Sequence, residues 1–327
     1  MSSIRPRRRI PNGKTPMPIR AVQMIVVVAL LLATPGLARA DEADNFTCRG
    51  RLTRDAMVTL DGWVNARIAE AVFKANERGR AKCDDACLQR ELQSTVGKSV
   101  LRKTLIPHSA FGRWIDAQKN IERCHLEFRD TIYGARGYNH AWLWPFNGRI
   151  IYVADSIRLA DRVVGLDKID HFLREGLVHW ENVDAGRGDI AFSIAKEFGP
   201  PRRQFSWTEW GLKGMSLTGV LAYADVAAGY FGYRFWSELL TMGQPGSFLA
   251  YDATTGYSQR RPFTFAAYVN DAWDESVNCS KFDGKVGADV TAALARRSMT
   301  CAGYPATLAA LPDARLYVNP ALLGVPK

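Results

Sequence analysis

The chain has 327 residues and a formal charge of +10, with 47% hydrophobic and 23% charged residues. This composition supplies a substantial core and excludes a disordered or low-complexity chain. Seven basic residues and no acidic one fall in positions 1–40, so the remainder carries +3. The basicity belongs to the leader, and no later basic stripe is interleaved with aromatics, so nucleic-acid binding is not predicted.

Residues 1–40 read as a signal peptide. Arg5, Arg7, Arg8, Arg9, Lys14 and Arg20 precede an apolar run over 21–33 broken only by Gln23, and Ala38-Arg39-Ala40 places small residues at a cleavage position before Asp41. The run is shorter than the ~20 residues of a bilayer-spanning helix. Met1 or Met17 could start this leader. Pro11 spoils a twin-arginine match at Arg8-Arg9, and no cysteine near the cleavage point offers a lipid anchor. The expectation is an exported chain, cleaved after Ala40, residing in the periplasm or outside the cell. Residues 41–327 are expected to form a single, mainly α domain with one or two small β-hairpins, stabilised by disulfides.

Six cysteines, Cys48, Cys83, Cys87, Cys124, Cys279 and Cys301, lie beyond the leader. An even count in an exported chain points to disulfides. Fifteen pairings are possible and the sequence does not choose among them; Cys279 with Cys301 is one candidate local clip, which would leave the first four to pair among themselves. Cys83 and Cys87, four apart, share a helical face if both are helical, which would let each reach a different segment. No paired C-x2-C knuckle supports zinc.

Three helices are expected over 52–132: one on the stripe Leu60, Trp63, Val64, Ile68, Ala71 and Val72, a second on Leu88, Leu92, Val96, Val100 and Leu101, and a third on Phe111, Trp114, Ile115 and Ile121. The pattern then changes. Residues 141–153 alternate around Asn147-Gly148 and predict a hairpin. Trp142 and Trp144 there could form a platform for sugar rings, although packing of a small sheet onto the helices is the favoured reading.

Leu166–Asp184 is predicted as one amphipathic helix, with Ile169, Phe172, Leu173, Gly176, Leu177 and Trp180 on one face and Asp167 as its N-cap. His171, Glu175 and His179 form a row on another face. The row could bind metal or move protons, but a solvated face is the favoured reading. Residues 216–240 carry only Asp225, Arg234 and Glu238 as charges and read as a buried helix. Within it Asp225 needs a partner. Arg234, nine residues on, sits near the opposite face. His171 is the first candidate, ahead of Arg158 and Arg174.

A second hairpin is expected over 247–261, turning near Thr255-Gly256. Thr264 then caps a helix running to Asn278, in which Asp274 and Glu275 point in different directions, and a last helix covers 286–300. The segments Ile169-Asp170-His171-Phe172, Thr218-Gly219-Val220 through Ala224-Asp225, Gly232-Tyr233-Arg234-Phe235-Trp236, and Ala272-Trp273-Asp274-Glu275 through Asn278 together resemble an uncharacterised group of proteobacterial secreted proteins, over about residues 140–282. The resemblance implies that these segments belong together and carries no activity.

The candidate catalytic residues are therefore Asp170, His171, Asp225, Asp274 and Glu275. The candidate binding residues are Trp142, Trp144, Arg234, Trp273 and Asn278. No cofactor and no resident metal is predicted. No nucleophile elbow and no HExxH motif is present. Binding of an envelope ligand or partner ranks first, acid–base hydrolysis of a glycan or peptidoglycan second, and metal binding through His171, Glu175 and His179 third. Convergence of His171, Asp225 and Asp274 beside a cavity would favour an enzyme.

Overall fold

A computed structural model describes residues 40–97, 110–134, 151–199, 214–244 and 246–324. Residues 1–39, where a signal peptide is expected, and residues 141–150 of the expected first hairpin, with Trp142 and Trp144, lie outside the described residues. The chain enters as strand β1 (Ala40–Ala43) and a single helical turn α1 (Asn45–Cys48), capped by the Asp44 carboxylate on Thr47 N at 2.9 Å. Helix α2 (Met57–Arg78) follows, burying Leu60, Trp63, Val64, Ile68, Ala71 and Val72 as the period predicts. Helix α3 (Asp85–Leu92) runs into a π-turn over Gln93–Gly97, and α4 (Ala110–Ala117) supplies Phe111 and Ile115 to the core.

Strand β2 (Ile151–Ala154) pairs in parallel with β1. Strands β3 (Ser156–Leu159) and β4 (Arg162–Gly165) form a hairpin that the sequence did not announce. Its two-residue turn is Ala160-Asp161, with φ of 49° and 63°. Both turn residues are left-handed, as a primed turn requires, but alanine there carries no turn signal.

The predicted helix at 166–184 is present in three continuous pieces: α5 (Asp167–Asp170), a π-turn (His171–Glu175) and α6 (Gly176–Asp184). Asp167 does not cap it: Leu166 occupies the cap, and Asp167 is the first helical residue, buried. Helix α7 (Ile190–Ala195) and the short α8 (Met215–Thr218) follow. The apolar stretch at 216–240 is not one helix. Gly219 turns left-handed (φ +76°), strand β5 (Val220–Leu221) follows, and the central helix α9 starts only at Tyr223 and ends at Leu240.

Helices α6 and α9 cross at Gly176 and Gly232. A Cβ on Gly232 would lie 1.9 Å from Phe172 O, and one on Gly176 would lie 2.3 Å from the Gly232 carbonyl carbon. This backbone-to-backbone approach excludes any side chain at either position. Beside the crossing, Phe172 is the hub of an aromatic cluster, with Phe235, Phe265, Tyr268 and Trp273 ring centroids 5.2–5.4 Å away. Trp236 Nε1 donates to Leu173 O at 2.7 Å, inside the π-turn.

Strands β6 (Leu249–Asp252) and β7 (Gly256–Gln259) form the expected second hairpin. The helix expected over 264–278 is replaced by two 3-10 turns, Phe265–Ala267 and Asp271–Trp273. Thr264 does cap the first. The side chains of Asn270 and Asp274 then accept from the backbone N–H two residues ahead, Ala272 at 3.0 Å and Ser276 at 2.8 Å. Such local bonds offer the backbone an alternative to the helical ladder. Strand β8 (Lys281–Phe282) pairs with β5, and α10 (Gly284–Arg296) and α11 (Pro305–Ala309) complete a mainly helical fold. One contiguous core runs from Ala56 to Val318. No helix among the described residues is long and apolar enough to cross a membrane.

All six cysteines are bonded: Cys48–Cys124, Cys83–Cys87 and Cys279–Cys301. Cys83 and Cys87 join each other instead of reaching separate segments, because Cys83 lies before the Asp84 cap of α3 and is not on the helical face of Cys87.

Candidate functional site

Five ionisable side chains meet where α5 and the π-turn after it, the N-terminal end of α9 and the segment after Trp273 face one another. Lys168, on α5, is fully buried. Its ammonium donates to Asp167 Oδ2 at 2.7 Å and to Glu275 Oε1 at 2.5 Å, and is ion-paired with Asp225 Oδ1. Three N–H groups thus meet three carboxylates, which is what keeps a buried ammonium tolerable. His171 Nε2 lies 3.3 Å from Asp225 Oδ2, and its side chain keeps 14% of its exposure against 4% or less for the other four. His171 is therefore the only member of the group with an opening to solvent.

The surroundings are also polar and buried. Ala43 N donates to Glu275 Oε1 at 3.3 Å, so β1 reaches the cluster, and Tyr133 OH lies 3.4 Å from Glu275 Oε2. Thr218 Oγ1 donates to the buried Glu42 at 3.2 Å. A Cβ on Gly165 would sit 2.1 Å from Asp167 Oδ1, so β4 needs glycine where it passes the cluster.

Three carboxyls face one ammonium, and burial decides how the excess negative charge is handled. Burial raises the Asp167 pKa, more than Lys168 lowers it. Burial likewise pushes Glu275 up to about 8, with Asp225 and Asp167 adding to the effect against the pull of Lys168. Burial alone would favour a neutral Lys168, but Asp167, Asp225 and Glu275 outweigh it and hold the ammonium well above its ordinary range. Burial thus favours a protonated Glu275, while the three carboxyls favour a charged Lys168.

The predicted site residues divide. His171, Asp225 and Glu275 come together, and His171 is a partner of Asp225 as expected. Lys168, not Arg158 or Arg174, is its main counter-ion. Asp274 turns away: its carboxylate accepts from Ser276 N at 2.8 Å and Ser276 Oγ at 2.5 Å. Asp170 is buried beside Arg174 at 3.4 Å and lies outside the cluster. Asn278 is a structural tie, donating to Ala272 O and Tyr317 O, both at 3.1 Å. Trp273 is fully buried in the aromatic cluster and presents no binding surface. Arg234 lies over the Phe231 ring at 5.7 Å, away from Asp225.

The row His171, Glu175, His179 is not a solvated face. Glu175 and His179 are 6% and 2% exposed and face α9, where a Cβ on Gly229 would lie 3.3 Å from His179 Nε2. His179 Nδ1 is 2.9 Å from Ser193 Oγ on α7, and Glu175 is 3.0 Å from Arg174. The row does not converge on a point as a metal comb would. Among the described residues, the group that does bring three ligand atoms within 4.8 Å is Asp167, His171 and Asp225. Both of those aspartates already contact the Lys168 ammonium, so the protein supplies its own cation there.

Sequence reasoning missed Lys168. The signal was present: Lys168 is four residues before Phe172, on the edge of the apolar face, and Asp225 required a cation. Glu42 and Tyr133 gave no signal, since their roles depend on partners 176 and 142 residues away.

A separate open groove lies at the other end of α9. It has a volume of about 570 Å³ and is lined by Ser237, Glu238, Thr241, Gln244, Ser247 and Arg261. Asp225 and Ser237 are twelve residues apart on one helix, or about 18 Å at 1.5 Å per residue. No family model, curated protein or solved structure matches the chain.

Proposed function

We propose that this is an exported cell-envelope protein that works by binding a ligand or partner, and that the Lys168 cluster holds its helices in register. The observation that carries this reading is a separation. Binding and catalytic sites combine an accessible concave surface with ionisable groups of perturbed pKa. Here the perturbed, converging groups are buried apart from the edge of His171, and an open groove among the described residues lies about 18 Å away along α9. Export is supported by the basic and apolar leader with its Ala38-Arg39-Ala40 site, and by three disulfides in the chain that follows.

A second reading, acid–base hydrolysis of an envelope glycan or peptidoglycan, has one specific support. His171 is held by Asp225, retains partial exposure, and sits beside a cluster whose Glu275 titrates near 8. Purified protein comprising residues 41–327, presented with envelope glycans and followed for both binding and turnover, separates the two. Saturable binding without turnover, unchanged in His171→Gln, supports the binding protein. Turnover that disappears in a folded His171→Gln variant would replace it with the enzyme.

A further inference from the structure

Resting on the binding reading, we propose that the groove at the C-terminal end of α9 takes a neutral polyhydroxylated ligand, a saccharide. The groove's hydrogen-bonding inventory sets this class. Ser237 Oγ donates to Tyr233 O at 2.9 Å, Thr241 Oγ1 to Ser237 O at 2.6 Å, and Ser247 Oγ to Leu249 O at 3.0 Å. A hydroxyl has one proton and two lone pairs. All three protons are committed inward, so the three hydroxyls offer lone pairs. The C-terminal end of α9 adds the negative end of a helix dipole. The groove surface is mainly apolar with a few hydroxyl acceptors set into it, which suits a ligand that combines C–H faces with O–H donors.

The groove's formal charges cancel. Arg261 Nη2 donates to Glu238 Oε2 at 2.7 Å, Arg261 Nε donates to Gly246 O at 2.8 Å, and Tyr268 OH donates to the same Glu238 oxygen at 2.9 Å. The guanidinium lies 3.6 Å over the Phe248 ring, which fixes its plane. The Arg261 guanidinium also hydrogen-bonds Tyr268, so its donors are largely used within the groove wall. Gln244, exposed on the rim, supplies both a donor and an acceptor. An anionic ligand would meet acceptor lone pairs and the helix dipole. A cationic one would meet the guanidinium. A neutral polyol satisfies both sets, and the volume lies within the 300–1,000 Å³ range of small-ligand sites.

The test uses residues 41–327 and four probes: maltotriose and tri-N-acetylchitotriose as neutral saccharides, gluconate and glucosamine as charged comparators. Binding is read by calorimetry and by chemical-shift perturbation. The expected result is saturable binding of a neutral trisaccharide, at least tenfold tighter than either comparator. Thr241→Trp, which fills the groove from an exposed position, should weaken it at least tenfold, and Gln244→Ala less. The unfolding midpoint of each variant controls for folding. Equal or tighter binding of a charged comparator, or trisaccharide binding untouched by a folded Thr241→Trp, would overturn the saccharide assignment. If neither trisaccharide binds but another envelope component does, and Thr241→Trp abolishes that, the class is wrong while the binding reading stands. If no envelope component binds at all, both fall.

Discussion

The two ends of α9 solve opposite problems. At the Asp225 end, five ionisable side chains from three segments are packed together, and each depends on the others for its charge state. At the Ser237–Thr241 end, polar groups satisfy part of their hydrogen-bonding capacity on the backbone and leave the rest to solvent. The first arrangement is intolerant: deleting one partner strands the others in a medium that cannot solvate them. The second is permissive, since water replaces whatever is removed. Polar residues in one helix thus carry structure at one end and stay open to solvent at the other.

This contrast can be broken most directly at Lys168. Lys168→Met leaves Asp167, Asp225 and Glu275 without their cation, and the expected loss is about 3–5 kcal/mol, read by denaturant unfolding. The loss should be larger at pH 8 than at pH 5, because protonated carboxyls need no counter-ion. A loss below ~1 kcal/mol would mean that the cluster is not what ties these segments together.

At the crossing of α6 and α9, Gly232→Ala sets two effects against each other. Alanine gains ~1 kcal/mol of helix propensity over glycine, but its Cβ would lie 1.9 Å from Phe172 O. Overpacking of this kind costs about 1–3 kcal/mol or more, and here the obstacle is backbone, which cannot rotate away. Net destabilisation is expected in thermal melts, and a raised midpoint would show that the helices are not so close.

The pH dependence sharpens the comparison further. Glu275 has a folded pKa of about 8 against an ordinary value of 4.5, and Asp167 is raised as well. The folded state therefore holds protons that the unfolded state has released. This contribution to stability is complete below pH ~4.5 and declines as pH rises to about 8. The denaturation midpoint should fall across that interval, and Glu275→Gln should flatten the fall. An identical slope in the variant would show that Glu275 is ionised in the fold. The smallest effect is expected at the groove, where Gln244→Ala should change stability by no more than ~0.5 kcal/mol in the same assay.

Much of this was legible from local sequence. The stripe on α2 is buried residue for residue, because a 3.6-residue period and a core on one side leave little choice. The second hairpin was announced by Gly256. The buried character of α9 followed from its lack of charge, and the need of Asp225 for a partner followed from that burial. Other features escaped for identifiable reasons. The β3–β4 hairpin turns on an alanine that carries no turn signal. The helix expected through Asn278 is dissolved by side-chain bonds from Asn270 and Asp274. The polar row on 171–179 looked solvated because a polar face on a helix usually is, yet α9 closes over it.

The sequence by itself determined the helices of the Leu60 stripe and of 166–184, that the cysteines beyond residue 40 would be bonded, that Cys279 could clip to Cys301, and that Asp225 would be buried in need of a partner. These follow from composition, short-range period and the cost of burying charge. Only the tertiary structure decided that Lys168 is that partner, that Glu275 joins it from 107 residues away while Asp274 beside it does not, that Cys83 bonds Cys87, and that a groove opens at the far end of α9. The physical reason is that a long-range ion pair depends on where whole segments pack. Two adjacent carboxylates are alike in sequence, and the path of the backbone between them sends one into the core cluster and the other onto Ser276.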